Sequence, residues 1–175
     1  MSLAGGLDQL AAIGLINAVP GPDSAYSFRH ALVQEAAYST VLRSDRRRLH
    51  GVVGTTLEQL YPDRRAELAA LLAFHFREAG LELRALAYYS LAGKTALAAY
   101  ANREAADHYR AALLLTPDER ERADLLAGLA EALVRQSRYA EAADLWRQAA
   151  AFYHTAGDSD GVARMMAAAA RAAWE

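Results

Sequence analysis

The residues with the clearest potential for chemistry are Gly93, Lys94 and Thr95, because a Gly-Lys-Thr triplet is how a phosphate-binding loop ends. Such a loop needs another glycine five positions before the second one, so that its backbone N–H groups can point at phosphate. Tyr88 occupies that position. The loop must also lead from a strand into a helix, whereas the segment 83–91 has apolar residues at helical spacing. The sequence therefore predicts that Lys94 lies inside a helix and binds no phosphate.

Metal-binding and nucleophilic patterns are weak. The five histidines are scattered over positions 30, 50, 75, 108 and 154, and no pair has the i, i+4 spacing with an intervening carboxylate that helical zinc sites use. His75 stands between two phenylalanines and is interpreted as a buried or half-buried structural side chain. The hydroxyls at 39–40 and 55–56 have no nearby base in the pattern of an activated nucleophile. We expect no catalytic residue, no metal and no cofactor, and hence no enzymatic activity of the chain itself.

Composition favours an ordinary helical domain. A chain of 175 residues that is 54% hydrophobic can bury a core, and its alanine-rich sequence has a high helix propensity. The net charge of −2 gives no overall attraction to nucleic acid or anionic membrane. The absence of cysteine excludes disulfides and thiolate zinc sites. Since the sequence has neither a signal-like leader nor an apolar span of about eighteen residues, we expect a soluble, cytoplasmic protein.

The first forty residues have the plan of a small winged-helix-like segment. Apolar spacing predicts a helix over 7–17, a turn follows at 19–23, and the alternation at 25–29 predicts one half of a short β-hairpin. The arginines at 43 and 46–48 could meet DNA phosphates, but the candidate recognition helix has no lysine or arginine and carries Asp8. A solvated helix face, or contact with another domain, is the favoured interpretation, and a stand-alone DNA-binding protein or small helical enzyme remains the alternative.

The remainder of the chain predicts an all-α architecture of helical hairpins. Helices are expected at 30–41, 46–61, 64–79, 82–99, 101–115, 118–136, 138–154 and 158–174. Loops this short force neighbouring helices to run antiparallel. The predicted organisation is a winged-helix-like remnant at 1–42, a connecting helical hairpin at 43–80 and helical repeats at 81–175.

An internal repeat is the most specific signal in the sequence. The tetratricopeptide repeat (TPR) places large, small and aromatic residues at fixed intervals over two helices. A first copy is formed by Tyr89, Gly93, Ala105, Tyr109, Ala112 and Pro117. A second copy, 37 residues later, is formed by Leu126, Ala130, Tyr139, Ala142, Trp146 and Ala149.

The physics of this repeat is a close helix crossing, in which a small residue of one helix accepts an aromatic ring of the other. A glycine inside a helix costs about 1 kcal/mol relative to alanine, so Gly93 is expected to make room for Tyr109. Trp146 is expected to pack against Ala130 in the same way. The sequence thus predicts a TPR-like α-α superhelix, with a generic alanine-rich bundle as the alternative.

TPR superhelices bind partners on a concave face that is lined by the first helix of each pair. Counting from the small residues gives the candidate partner-binding positions Ser90, Lys94, Leu97, Glu131, Val134 and Arg135, with Ala98 and Ala127 beside them. Because these side chains are mixed in charge, a short peptide or an intramolecular segment is a better partner than a long acidic tail. An ordinary solvated surface is the alternative.

The last predicted helix has a nearly continuous apolar face, formed by Val162, Met165, Met166, Ala169, Ala170 and Trp174. Exposed apolar patches of this size are unusual. We expect either a following helix in a longer parent protein or a homodimer formed through this helix.

The segment 26–58, YSFRHALVQEAAYSTVLRSDRRRLHGVVGTTLE, resembles the junction that follows the NTPase module in bacterial STAND-class signalling ATPases. The likeness lies in Phe28-Arg29-His30, Leu32-Val33, Glu35, Ala37-Tyr38, Arg46-Arg47-Arg48 and Leu49-His50, and "LAFHFREAG" at 72–80 is similar to the same proteins. These proteins include predicted ATPases fused to nucleotide cyclases, such as adenylate cyclases, and transcriptional regulators of the MalT type with a LuxR-like DNA-binding domain. The resemblance implies a regulatory TPR arm in signal transduction, with protein or intramolecular partners. The phosphate-loop residues of these proteins have no matching positions in this sequence.

Overall fold

The computed structural model describes residues 2–20 and 25–174. Within these residues the chain is mostly helical, with one two-stranded antiparallel hairpin, so this part of the fold prediction is confirmed. The elements, in chain order, are α1 (Leu3–Ala12), β1 (Ile16–Val19), β2 (Ala25–Phe28), α2 (Ala31–Thr40), α3 (Arg43–Leu60), a 3₁₀ turn (Pro62–Arg64), α4 (Ala69–Ala79), α5 (Glu82–Ala98), α6 (Asn102–Leu113), α7 (Glu119–Val134), α8 (Tyr139–Thr155) and α9 (Ser159–Trp174).

The chain divides into two compact units, Met1–Arg46 and Arg47–Glu175. In the first unit, β1 and β2 pair in a register that sets Ile16 opposite Phe28. Among the described residues of this unit, Ile16 is the one buried hydrophobic side chain, and α2 has no buried residue. The first unit therefore has only a minimal core of its own.

The predicted helix over 7–17 is wrong in its second half. Helix α1 ends at Ala12, and Gly14 has a φ of +74°, a left-handed conformation that reverses the chain. The N–H of Leu15 donates to the carbonyl of Leu10 at 3.0 Å, which closes the helix end and sends residues 16–19 into β1. The turn predicted at 19–23 lies, from residue 21 onward, outside the described residues.

Two other helix boundaries differ from the prediction. Helix α3 begins at Arg43, so Asp45 lies in its first turn and does not cap it. Helix α4 begins at Ala69, because the segment after Pro62 first makes a 3₁₀ turn. At the other end of α4, Gly80 has a φ of +74° and forms a left-handed cap, as glycines at helix ends commonly do.

In the second unit, each helix from α4 to α9 packs against the next, and α5 also contacts α7. The loops that join these helices contain two to five residues, which makes successive helices antiparallel. Alanines at the crossings let the helix backbones approach closely. Fully buried examples are Ala85, Ala105, Ala106, Ala112, Ala123, Ala130, Ala132, Ala142 and Ala149.

The ring of Tyr109 lies between glycines of two different helices. A Cβ atom added to Gly93 of α5 would lie 2.9 Å from Cε1 of this ring, and one added to Gly128 of α7 would lie 2.5 Å from Cζ. Tyr109 is 3% exposed. The expected notch at Gly93 is therefore occupied by Tyr109, and Gly128 of α7 forms a second notch for the same ring.

Other repeat positions lie in or beside the same core. Tyr89, Ala105, Ala112, Ala130 and Ala142 are buried. Trp146 is half-buried and packs both against this core and against a small cluster at α9. Its ring is thus partly accessible at the surface.

The apolar face predicted for the last helix is divided. Val162 and Met165 pack against a buried cluster that includes Tyr153. Ala169 is buried, whereas Met166 is 48% and Trp174 is 93% exposed. Only half of the predicted face is therefore left uncovered.

Candidate functional site

Two cavities open beside α7, one lined also by α5 and the other also by α9, and their lining on these three helices is called here the α5–α7–α9 surface. The first, the polar cavity, has a volume of about 140 Å³. It is lined by Ser90, Lys94, Tyr109, Glu121, Asp124 and Leu125. Ser90 and Lys94 lie one turn apart on α5, and the side chain of Asp118 caps α7 by accepting from the N–H of Glu121 at 2.8 Å.

Hydrogen bonds already engage the carboxylates of the polar cavity. Thr116 donates to Glu121 at 3.3 Å, and the phenol of Tyr153 donates to Asp124. Burial, together with the hydrogen bond to Asp124, raises the pKa of Tyr153 to about 12, so the phenol keeps its proton. Within the described residues, the exposed Lys94 has no carboxylate at ion-pair distance. The cavity thus combines one ammonium group with two carboxylates that are hydrogen-bonded to neutral donors, and no ion pair joins them.

The second cavity, the Trp146 groove, has a volume of about 540 Å³. It is lined by Glu131, Val134, Tyr139, Trp146, Ala168, Arg171 and Ala172. Two aromatic rings of α8 form its apolar part, and the small side chains at 168 and 172 of α9 leave the space open. A volume of this size lies within the range of about 300–1,000 Å³ that is usual for ligand sites.

The two charged residues of the groove differ in their surroundings. Glu131 accepts from Arg135 at 2.7 Å, so its charge is largely balanced. Arg135 also donates to the carbonyl of Leu97 at 2.8 Å and lies over the ring of Tyr100. In the part of the chain that the structure describes, Arg171 is exposed and has no such carboxylate partner. The groove therefore has an excess of positive charge at its α9 side.

The six predicted partner-binding residues do not form one site. Ser90 and Lys94 line the polar cavity, and Glu131 and Val134 line the Trp146 groove. The two cavities are about 10 Å apart along α7, at a rise of about 1.5 Å per residue between positions 124 and 131.

Leu97 and Arg135 have structural roles instead. Leu97 is 8% exposed and belongs to the core, so its prediction as an accessible position is wrong. Arg135 ties the end of α7 to the end of α5 through the Leu97 carbonyl. The helical spacing that selected Leu97 does not account for the packing of neighbouring helices, which buries this side chain in the core.

Arg171 was missed by the sequence analysis, although a signal was present. The positions one 37-residue repeat after Glu131 and Val134 are Ala168 and Arg171. These two residues also line the groove. Extending the repeat into the third pair of helices would have identified them.

A second polar network joins α3 to α5. Arg84 donates to Thr55 at 3.1 Å and to Glu58, and its guanidinium lies 3.9 Å from the ring centre of Phe76. The phenol of Tyr88 also donates to Glu58, and burial with this hydrogen bond raises its pKa to about 12. All these groups are engaged with one another, so the network serves packing.

Two histidines that are far apart in sequence meet between α3 and α4. The Nδ1 atoms of His50 and His75 are 3.0 Å apart, so one ring donates and the other accepts. Burial, and secondarily His50, lowers the pKa of His75. The described residues contain no group of three or more potential ligands that could hold a metal ion. None of their helices is both long and apolar enough to cross a membrane.

Comparison with known proteins adds little. No protein-family model matches the chain. An uncharacterized protein of Rhizobium meliloti (strain 1021) is 35% identical over 94 residues. The aligned part is 53% of this chain and 9% of that protein, so the chain spans only a small fraction of its much longer relative.

Proposed function

We propose that this chain is a non-catalytic protein-interaction arm of TPR-like repeats, whose α5–α7–α9 surface binds a segment of a partner. The observation that carries the proposal is the 37-residue period, which recurs in features of the backbone as well as in the cavities. In a helical bundle without repeats, the helix-end conformations and the cavity-lining positions would not be expected to recur at one and the same interval.

The helix ends are the first of these features. Tyr100, after α5, has a φ of +61°, and Ser137, after α7, has a φ of +59°. Neither residue is a glycine, so a left-handed conformation at both is unusual. The two residues are 37 positions apart, and each is followed by the same closing bond, from Ala101 to Ala96 and from Arg138 to Leu133.

The lining of the Trp146 groove is the second feature. Its residues on α7 and α9 are one period apart, as described above. Packing of each helix on its neighbours in sequence, with α5 touching α7, is also what stacked hairpins produce. These observations support the placement of α5, α7 and α9 as the first helices of successive pairs.

We further propose that the arm belongs to a larger signal-transduction ATPase of the STAND class, either cyclase-linked or transcription-regulating. The support is the resemblance of segment 26–58 and the small share of a long relative that the chain covers. In this setting the arm would bind a protein or another domain of the same polypeptide. Reading the gene upstream of this segment tests the assignment, which requires a complete phosphate loop there.

Site-specific photo-crosslinking tests the binding surface. Benzoylphenylalanine is placed at Ser90 or Val134, and, as matched controls, at the exposed Asp107 of α6 or Asp144 of α8. In the native host cell we expect discrete crosslinked products from the first pair only. Equal products from both pairs, or products from the control pair alone, would contradict the proposal.

A further inference from the structure

We infer that the Trp146 groove binds a short linear segment in which a bulky apolar side chain is flanked by carboxylates. This inference rests on the proposed function, because it names the chemistry of the segment that the α5–α7–α9 surface takes.

The apolar anchor follows from the lining. The rings of Tyr139 and Trp146, with Val134, present aromatic and aliphatic surface to a cavity of about 540 Å³. Trp146 is only half-buried by its own chain, so a large part of its ring is available for contact. Aromatic side chains of this kind bind other apolar side chains through area and edge-to-face contacts.

The acidic flank follows from the charges. Since Arg135 balances Glu131, Arg171 is the groove residue with an uncompensated charge among the described residues. A guanidinium binds a carboxylate through two parallel hydrogen bonds, and it does so best beside an apolar surface that excludes water. A lysine-flanked segment would place like charges together and should be rejected.

The experiment uses the intrinsic fluorescence of the groove. The chain has two tryptophans, and Trp174 is 93% exposed, so Trp174→Ala leaves Trp146 as the one tryptophan without disturbing packing. This full-length variant is titrated with a capped heptapeptide that has a central phenylalanine between two aspartates. Matched peptides replace both aspartates by lysine, or the phenylalanine by alanine.

We expect the acidic peptide to cause a saturable change in Trp146 emission. Its affinity should be at least tenfold higher than that of either matched peptide. Arg171→Glu should abolish or reverse the preference for aspartate over lysine. Arg120→Glu, at an exposed arginine outside the groove, makes the same change in net charge and should leave the preference intact.

Equal affinity for the aspartate and lysine peptides, or no saturable signal, would overturn the inference. If crosslinks at Ser90 and Val134 are still obtained, only the chemistry assigned to the groove has failed. If the peptide binds with the expected selectivity but those crosslinks are missing, the proposed function has failed. Self-association of the wild-type chain that Arg171→Glu abolishes would assign the groove to a second copy, and also overturn the inference.

Discussion

Replacing Gly128 by alanine is expected to destabilise the repeat region, although alanine is the better helix former. The added Cβ would lie 2.5 Å from Cζ and 2.9 Å from the hydroxyl oxygen of Tyr109, closer than real Cβ contacts. The ring has little room to move, because Gly93 contacts the same Cε1–Cζ edge and the residue is 3% exposed. Relief would therefore require α6 and α7 to move apart.

Two opposing terms set the magnitude. Overpacking a buried site costs about 1–3 kcal/mol, and a Cβ 2.5 Å from a buried ring atom is a severe overlap, so the upper end applies. Replacing glycine by alanine inside a helix stabilises the helix by about 1 kcal/mol. The free energy of unfolding of Gly128→Ala should thus fall by about 2 kcal/mol.

Urea unfolding, followed by circular dichroism and by tryptophan fluorescence, measures this change. With a denaturant slope of about 2 kcal/mol/M, the midpoint should fall by about 1 M, provided that the two probes give the same transition. Gly51→Ala in α3 is the matched control. Its Cβ would meet Ala79 at 3.6 Å, an ordinary contact, so this variant should gain up to about 1 kcal/mol from helix propensity.

The reasoning would be refuted if Gly128→Ala were as stable as the wild type while Gly51→Ala was stabilised. A double-mutant cycle adds an independent check. In a Tyr109→Ala background the steric conflict is absent, so Gly128→Ala should become stabilising.

Three further predictions concern charge and pH. Glu58→Gln removes the anionic partner of Arg84 in a partly buried network and should lower the free energy of unfolding by about 1 kcal/mol. In the same urea assay Glu67→Gln, in an exposed pair, should leave the free energy of unfolding nearly unchanged. Burial raises the pKa of Tyr153 to about 12 from an ordinary value of about 10, so the folded state holds this proton more tightly. Stability should fall as pH rises between those values, and Tyr153→Phe should reduce the loss seen in thermal unfolding. Burial lowers the pKa of His75, so the unfolded state binds the proton more readily and stability should fall as pH drops below about 6.5. His75→Gln should flatten this decline in urea midpoints measured between pH 7 and pH 5.

Much of the helical plan could be predicted because it depends on neighbours in the chain. Apolar spacing, short loops and Gly80 as a helix cap are local signals, and they locate most of the helices. The prediction failed where two local signals compete. Over 7–17 the helical spacing continues past Gly14, but the left-handed turn there and the pairing with β2 decide in favour of a strand.

The contacts that matter for the site were harder to predict, because they join distant parts of the chain. His50 meets His75 only because α3 and α4 cross at that point. Arg171 is a groove residue only because α9 stacks beside α7. Sequence reasoning could have reached Arg171 through the repeat, whereas nothing in the sequence indicated the histidine pair.

The sequence by itself determined the helices, their antiparallel order and the pairing of Gly93 with Tyr109, since backbone hydrogen bonding and residue size act over short distances. The tertiary structure decided that Gly128 also contacts that ring, that Leu97 is buried, and that Arg135 balances Glu131 and leaves Arg171 as the uncompensated charge of the groove. The physical reason is that each of these outcomes depends on where one helix crosses another, and a crossing point is set by the packing of all the side chains between them.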